Sequence, residues 1–216
     1  MTKIDVQFLH IQYCKIMEEI KDRLRIIERI YRAEFELPPT DAIELCYLEL
    51  RMICELIALA CLTAHGDMPD LQTRKVREAY EPGKILTELG RLHKSFYPIP
   101  VGEKLDAEKD LESITPIRND SLTKSQLVRL HADCGAILHR GAFHRFGPRQ
   151  APDFIKAASW QRKIVALLNR HIIAMSDRKR LVYITMQDKI TKSVTLSNLM
   201  IKDASHWPSW FDELGK

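Results

Sequence analysis

The sequence predicts a mainly α fold: an antiparallel helical bundle with a C-terminal β-hairpin and a short aromatic tail. Three observations predict it. Apolar residues recur at helical spacing through most of the chain up to Ser176, the period changes to two after Arg180, and proline or glycine breaks the segments apart. The 216 residues, 45% apolar and 29% charged with no repeat or low-complexity tract, suit one domain with a sizeable core. That domain comprises a helical bundle over residues 1–179, with an acidic loop at 101–121, and a hairpin and tail over 180–216 packed on it.

The first helix is expected over residues 5–36, where Val6, Leu9, Tyr13, Ile16, Ile20, Ile27 and Ile30 recur three or four apart and Arg23 breaks the pattern. Pro38-Pro39 ends it. A second helix runs from Thr40 to Gly66, with Asp41 as N-cap, Glu44 completing a capping box, and Gly66 as its stop. Every face of this helix is apolar, so it is expected to be almost wholly buried. Glu49, Arg51 and Glu55 cut the run short of the roughly 20 apolar residues a membrane span needs. Arg51 and Glu55, four apart, read as a buried ion pair at a helix interface, because a buried charge is tolerated only when paired. The functional alternative for them is an internal charged site.

Further along, Leu71–Tyr80 reads as a short basic helix and Lys84–His93 as another, followed by an extended segment at Phe96–Pro100. Residues 101–121 carry Glu103, Asp106, Glu108, Asp110 and Glu112 without periodicity, as an irregular surface loop or an acidic flap would. Helices follow at 121–139, on Leu127, Leu130, Cys134 and Ile137, and at 153–176, on Ile155, Ala158, Ile164, Leu168, Ile172 and Met175. Val182, Ile184 and Met186 then alternate with polar neighbours, as do Val194, Leu196 and Met200, which predicts a β-hairpin around Asp188–Lys192. A lone hairpin is marginal in water, so it packs on the helices or on another copy. The tail gathers Trp207, Trp210 and Phe211, which either dock on the hairpin or form a partner-binding hook.

No basic-then-apolar leader opens the sequence, so a cytoplasmic location is expected. The five cysteines lack CxxC spacing and sit in apolar stripes, as core residues in a reducing compartment do. Net charge is +4 but uneven: residues 129–180 carry eleven Lys and Arg against three Asp, a local +8 that leaves −4 elsewhere. Such a basic half suits RNA or another polyanion.

No metal is expected, because at about 100° per residue one helix cannot aim His131, Cys134 and His139 at a single ion. The absence of GxSxG and of phosphate-cradling glycine loops argues against a serine nucleophile and nucleotide chemistry. No cofactor is expected. The most chemically loaded stretch is LHADCGAILHRGAFHRFGPRQ. Here His139 and His144 are candidate acid-base groups, with Arg140 and Arg145 able to stabilise a phosphorane, and Arg140, Arg145, Arg149 and Arg162 are candidate phosphate contacts.

The segment Leu122–Phe143, running into ILHRGAF after a long helical pair, resembles the HEPN superfamily of small helical proteins. That resemblance implies a four- or five-helix bundle, often dimeric, and in many members a metal-independent ribonuclease. The family's Arg, followed by His after four to six residues, is absent: Ala132, Asp133 and Cys134 hold the required places before His139, and Ile137, Leu138 and His139 those before His144. The expectation is therefore a non-catalytic HEPN-like interaction module, self-associating as a homodimer, that binds RNA or another polyanion. A metal-independent ribonuclease with a rearranged His/Arg site, and a purely protein-binding regulatory or structural protein, are the alternatives.

Overall fold

The computed structural model describes residues 6–66, 68, 81–105, 111–117, 120–139, 153–177 and 179–201. Its architecture is mainly helical, with five helices and a five-stranded antiparallel sheet among these residues. The expected helix at 71–80 and the tail residues Trp207, Trp210 and Phe211 lie outside them.

Helix α1 (Val6–Tyr31) stops earlier than expected. Glu34 N–H bonds to Arg29 O and Ala33 N–H to Ile30 O, with Ala33 at φ 56°, the hydrogen-bond pattern of a Schellman stop. Alanine stands where glycine is usual, so the sequence carries no signal for this stop. Helix α2 (Pro39–Ala64) starts from Pro38, with Pro39 in the first turn and no side-chain cap; the expected Asp41–Glu44 capping box does not form. Proline needs no amide partner in the first turn and its φ already fits a helix, so it starts α2 two residues before Asp41.

α1 and α2 lie antiparallel. Arg23 Nη1 donates to Glu49 Oε2 at 2.9 Å, which explains the charge that interrupts α1's apolar stripe. Three further helices complete the helical part: α3 (Pro82–Leu92), α4 (Lys124–Leu138) and α5 (Phe154–Leu168). Thr123 and Gln126 form a reciprocal capping box on α4, and Asp153 caps α5 through Lys156 N–H. No described helix is long and apolar enough to cross a membrane.

The sheet corrects the sequence reading in two places. Strands β1 (Ile99–Leu105) and β2 (Leu111–Pro116) occupy the segment expected as an irregular acidic loop. The expected helix 153–176 ends at Leu168, and Arg170–Ala174 forms β3. β4 (Arg180–Thr185) and β5 (Thr195–Met200) are the expected hairpin, but they close one side of a sheet ordered β2-β1-β3-β4-β5 rather than standing alone. Register is set by Ile99 opposite Ile172, Ile172 opposite Tyr183, and Ile184 opposite Leu196. Ile173, Val182 and Ile184 face the helices and join the main core with Met17, Ile20, Leu50, Ile57 and Leu127. The other face carries a smaller cluster of Ile99, Val101, Ile172, Ala174 and Tyr183.

Polar side chains fasten the sheet to the helices. Lys21, almost wholly buried on α1, donates to Lys192 O at 3.0 Å and pairs with Glu18, whose Oε1 accepts the Val194 amide at 2.6 Å. The β4–β5 turn is thus held from one helix. His171 on β3 donates Nδ1–H to Leu168 O at 2.8 Å, so Nε2 is left to accept the Tyr13 hydroxyl at 2.7 Å. His65 and His93, with ring centroids 5.1 Å apart, both bring Nε2 to Ala174 O, tying the ends of α2 and α3 to β3.

Burial lowers the pKa of His171 to about 4, so the ring is neutral in the folded protein at neutral pH. The unfolded chain binds this proton near pH 6.5 and the fold only near 4, so the stability His171 confers is complete above about 6.5 and is lost as pH falls to about 4. The full difference is about 3 kcal/mol. Urea unfolding measured between pH 7 and 4 is expected to show this loss in the wild type and a flatter profile in His171→Gln; parallel profiles would contradict the assignment.

Candidate functional site

The described residues with the greatest chemical potential meet where α2 and α4 pack. The two helices run antiparallel, which sets Glu55 opposite His131 and Arg51 opposite Gly135. Arg51 Nε donates to Glu55 Oε1 at 3.2 Å, and His131 Nε2 lies 3.0 Å from the same oxygen. Helical spacing makes the first contact, since residues four apart share a face. The second joins residues 76 positions apart.

Side-chain exposures are 27% for Arg51, 31% for Glu55 and 17% for His131, so the expected buried pair is in fact open to solvent along one edge. With His131 donating Nε2–H to the carboxylate, Nδ1 keeps its lone pair and can take a proton. The guanidinium retains donors beyond the one that Glu55 accepts. One orienting carboxylate thus holds a base and a cation side by side, an arrangement suited to binding a phosphate and moving a proton next to it.

Gly135 makes room for the cation. A Cβ at this position would lie 2.9 Å from Arg51 Nη1 and 3.9 Å from His139 Cδ2. His139 thus lies beside Gly135 as Arg51 does; it is the C-cap of α4, exposed, with its amide bonded to Gly135 O. Of the sequence candidates, Arg51 and Glu55 come together and His139 lies beside Gly135; His131, a member of the chemically loaded stretch that was weighed only as a metal ligand, joins the pair. A glycine inside a helical pattern was the available signal, because such a residue often marks a close approach.

Arg162 is exposed on α5, and among the described residues no hydrogen bond or ion pair links it to this cluster. His144, Arg140, Arg145 and Arg149 lie outside the described residues. Thiol chemistry at the site is disfavoured: burial pushes Cys134 up to about 12 and Cys54 well above its ordinary value, so neither supplies a thiolate near neutral pH. Among the described residues no group of three or more His, Cys, Asp or Glu is placed to hold a metal ion.

A second polar network sits on the sheet's far face, where Tyr183 donates to Glu103 and Arg170 Nε lies 3.3 Å from the same carboxylate. Burial and that hydrogen bond raise Tyr183 to about 12, which keeps its proton in place and makes the network a structural clamp between β1, β3 and β4. No family model, curated protein or solved structure matches this chain. The chemistry of the α2–α4 cluster therefore has to be read from its own geometry.

Gly135→Ala separates stability from site geometry. Removing a mid-helix glycine is worth up to about 1 kcal/mol of helix stability, while the added methyl displaces the flexible end of Arg51. Thermal unfolding is expected at an unchanged or higher midpoint, with any ligand affinity that depends on Arg51 reduced; a strongly destabilised variant would show that the helices, not the guanidinium, have to move.

Proposed function

We propose that this protein is a cytoplasmic, HEPN-like helical interaction module that binds RNA, or a polyanion of similar charge spacing, at the surface where α2 and α4 meet. One observation carries the reading. α4 ends at His139, one turn after Gly135, and a Cβ at Gly135 would lie 2.9 Å from Arg51 Nη1, so the half-exposed cation of α2 stands near the helix end that the basic sequence Arg140, His144, Arg145 and Arg149 follows. Phosphate contacts fall to Arg51 together with Arg140, Arg145 and Arg149, and Arg162 extends the basic surface on α5. Supporting the HEPN-like reading is the antiparallel α1–α2 pair with α4 and α5 packed on it. The five-stranded sheet is an addition the resemblance does not imply.

A second reading, metal-independent RNA cleavage, is favoured by the Glu55–His131 contact. In it His131 Nδ1 takes the proton of a ribose 2′-hydroxyl, the 2′-oxygen attacks the adjacent phosphorus, and Arg51 offsets the negative charge of the phosphorane. His139 then returns a proton to the departing 5′-oxygen.

Fluorescence anisotropy of labelled single-stranded RNA in EDTA, across a salt series, tests both. Binding is expected to weaken linearly in log salt, and Arg51→Gln to reduce the slope by about one. No binding at low salt, or an Arg51→Gln isotherm identical to wild type, would overturn the proposal. EDTA-resistant cleavage abolished by His131→Ala and by His139→Ala would establish the second reading, whereas cleavage undiminished in both variants would remove it.

A further inference from the structure

Where α1 ends and α2 and α5 begin, the surface opens into a cleft of about 500 Å³, a size typical of small-molecule sites. Its walls are apolar and aromatic: Tyr31, Phe35 and Leu37 from the end of α1 and the connection to α2, and Phe154, Ile155 and Ala158 from α5. The Tyr31 and Phe154 rings meet edge to face, with centroids 6.3 Å apart. The apolar pattern of α5 assigns Ile155 to the core, yet it is 82% exposed, and Leu37 is 40% exposed. The backbone of this wall is strained as well. Among the described residues Ala33, Glu36 and Lys192 combine a side chain with a positive φ, and the first two line the cleft. Side chains other than glycine rarely adopt that conformation, and such residues cluster at ligand clamps.

Charge selects the occupant. Among the described residues that line the cleft Glu36 alone is charged, and among the described residues no ion pair or hydrogen bond engages its carboxylate. Residues 33–50 hold five acids and no lysine or arginine. The positive ends of the two helices that start here do not offset Glu36, because α2 carries Asp41 in its first turn and Asp153 caps α5. Glu34 is already held by Arg29 at 2.8 Å, and Arg29 in turn lies 4.4 Å over the Phe35 ring. One aromatic of the wall thus already accepts a cation on one face. Aromatic rings beside an unclaimed carboxylate fit an ammonium carried on an apolar body; a carboxylate or phosphate would meet like charge.

We propose that this cleft binds a small amphiphilic amine, its apolar body against Tyr31, Phe35 and Phe154 and its ammonium against Glu36. The site shares no residue with the Arg51–Glu55–His131 cluster. It goes beyond the RNA reading and does not require it, since binding is measured without nucleic acid.

Methyl NMR of the full chain tests it with three naphthalene probes that differ in head group: naphthylethylammonium, naphthylethanol and naphthylacetate. The ammonium is expected to bind tightest and the acetate weakest, with saturable shifts of the Leu37 and Ile155 methyls. Glu36 is exposed, so Glu36→Gln removes the charge without touching the core. That variant is expected to weaken the ammonium about fivefold and to leave the alcohol unchanged. Ala158→Phe, which fills the cleft, is expected to weaken both, with circular dichroism as a check on folding. An ammonium that binds no tighter than the alcohol, a Glu36→Gln isotherm identical to wild type, or shifts confined to other parts of the chain would each overturn the proposal. So would Leu37 and Ile155 methyl shifts that follow protein concentration with no probe present, because a second copy would then fill the cleft.

Discussion

A helix that is apolar on every face has to be covered on every face, and α2 imposes that requirement on the rest of the chain. α1 packs along it, α4 returns antiparallel beside it, and α3 and α5 contact it as well. Together they enclose Leu50, Ile53, Cys54, Ile57 and Cys61 almost completely. The charges on α2 sit where these coverings meet. Glu49 turns to α1 and finds Arg23, while Arg51 and Glu55 turn to α4 and find Gly135 and His131. Among the described residues, Leu48 and Leu59 on the outer side of α2 stay 42% and 43% exposed.

Burying polar groups in this arrangement costs stability unless each has a partner. Three buried or nearly buried side chains meet the condition by holding the sheet. Lys21 takes the carbonyls of the β4–β5 turn, His171 bridges Leu168 O and the Tyr13 hydroxyl, and His65 has Cys61 O and Ala174 O within reach of its ring N–H, one in each tautomer. The hairpin that would be marginal alone is fixed by the first of these and by strand pairing to β3. The Arg51–Glu55–His131 cluster differs, because it is satisfied internally and still open to solvent.

The helices and the last hairpin were legible because their apolar periods are long and local. Strand β3 was not: His171–Ala174 is buried on both faces as the central strand, so it shows no alternation, and its isoleucines continue the helical pattern of the preceding residues. β1 and β2 hid for the opposite reason, since charged Glu103, Lys104 and Glu112 mask a weak strand pattern. The end of α1 was hidden by an alanine in a left-handed stop that usually signals itself with glycine. At the site, Arg51–Glu55 could be read from spacing, but the reach from Glu55 to His131 spans two helices and no local pattern encodes it. The outer face of α2 was misjudged because an all-apolar pattern predicts burial on every side, while Leu48 and Leu59 are left exposed.

Function follows from the same geometry. The proposed polyanion takes the Arg51 guanidinium where α2 meets α4, and Glu55 holds that cation and His131 side by side. The central claim is that the Arg51 guanidinium, held by Glu55 and given room by Gly135, is a phosphate contact. Its most direct test is an NMR titration of labelled protein with single-stranded RNA in EDTA, following the Arg51 Nε–H resonance. A saturable shift of that resonance, reversed by salt, is the predicted result; an Arg51 resonance unmoved at saturating RNA would contradict it.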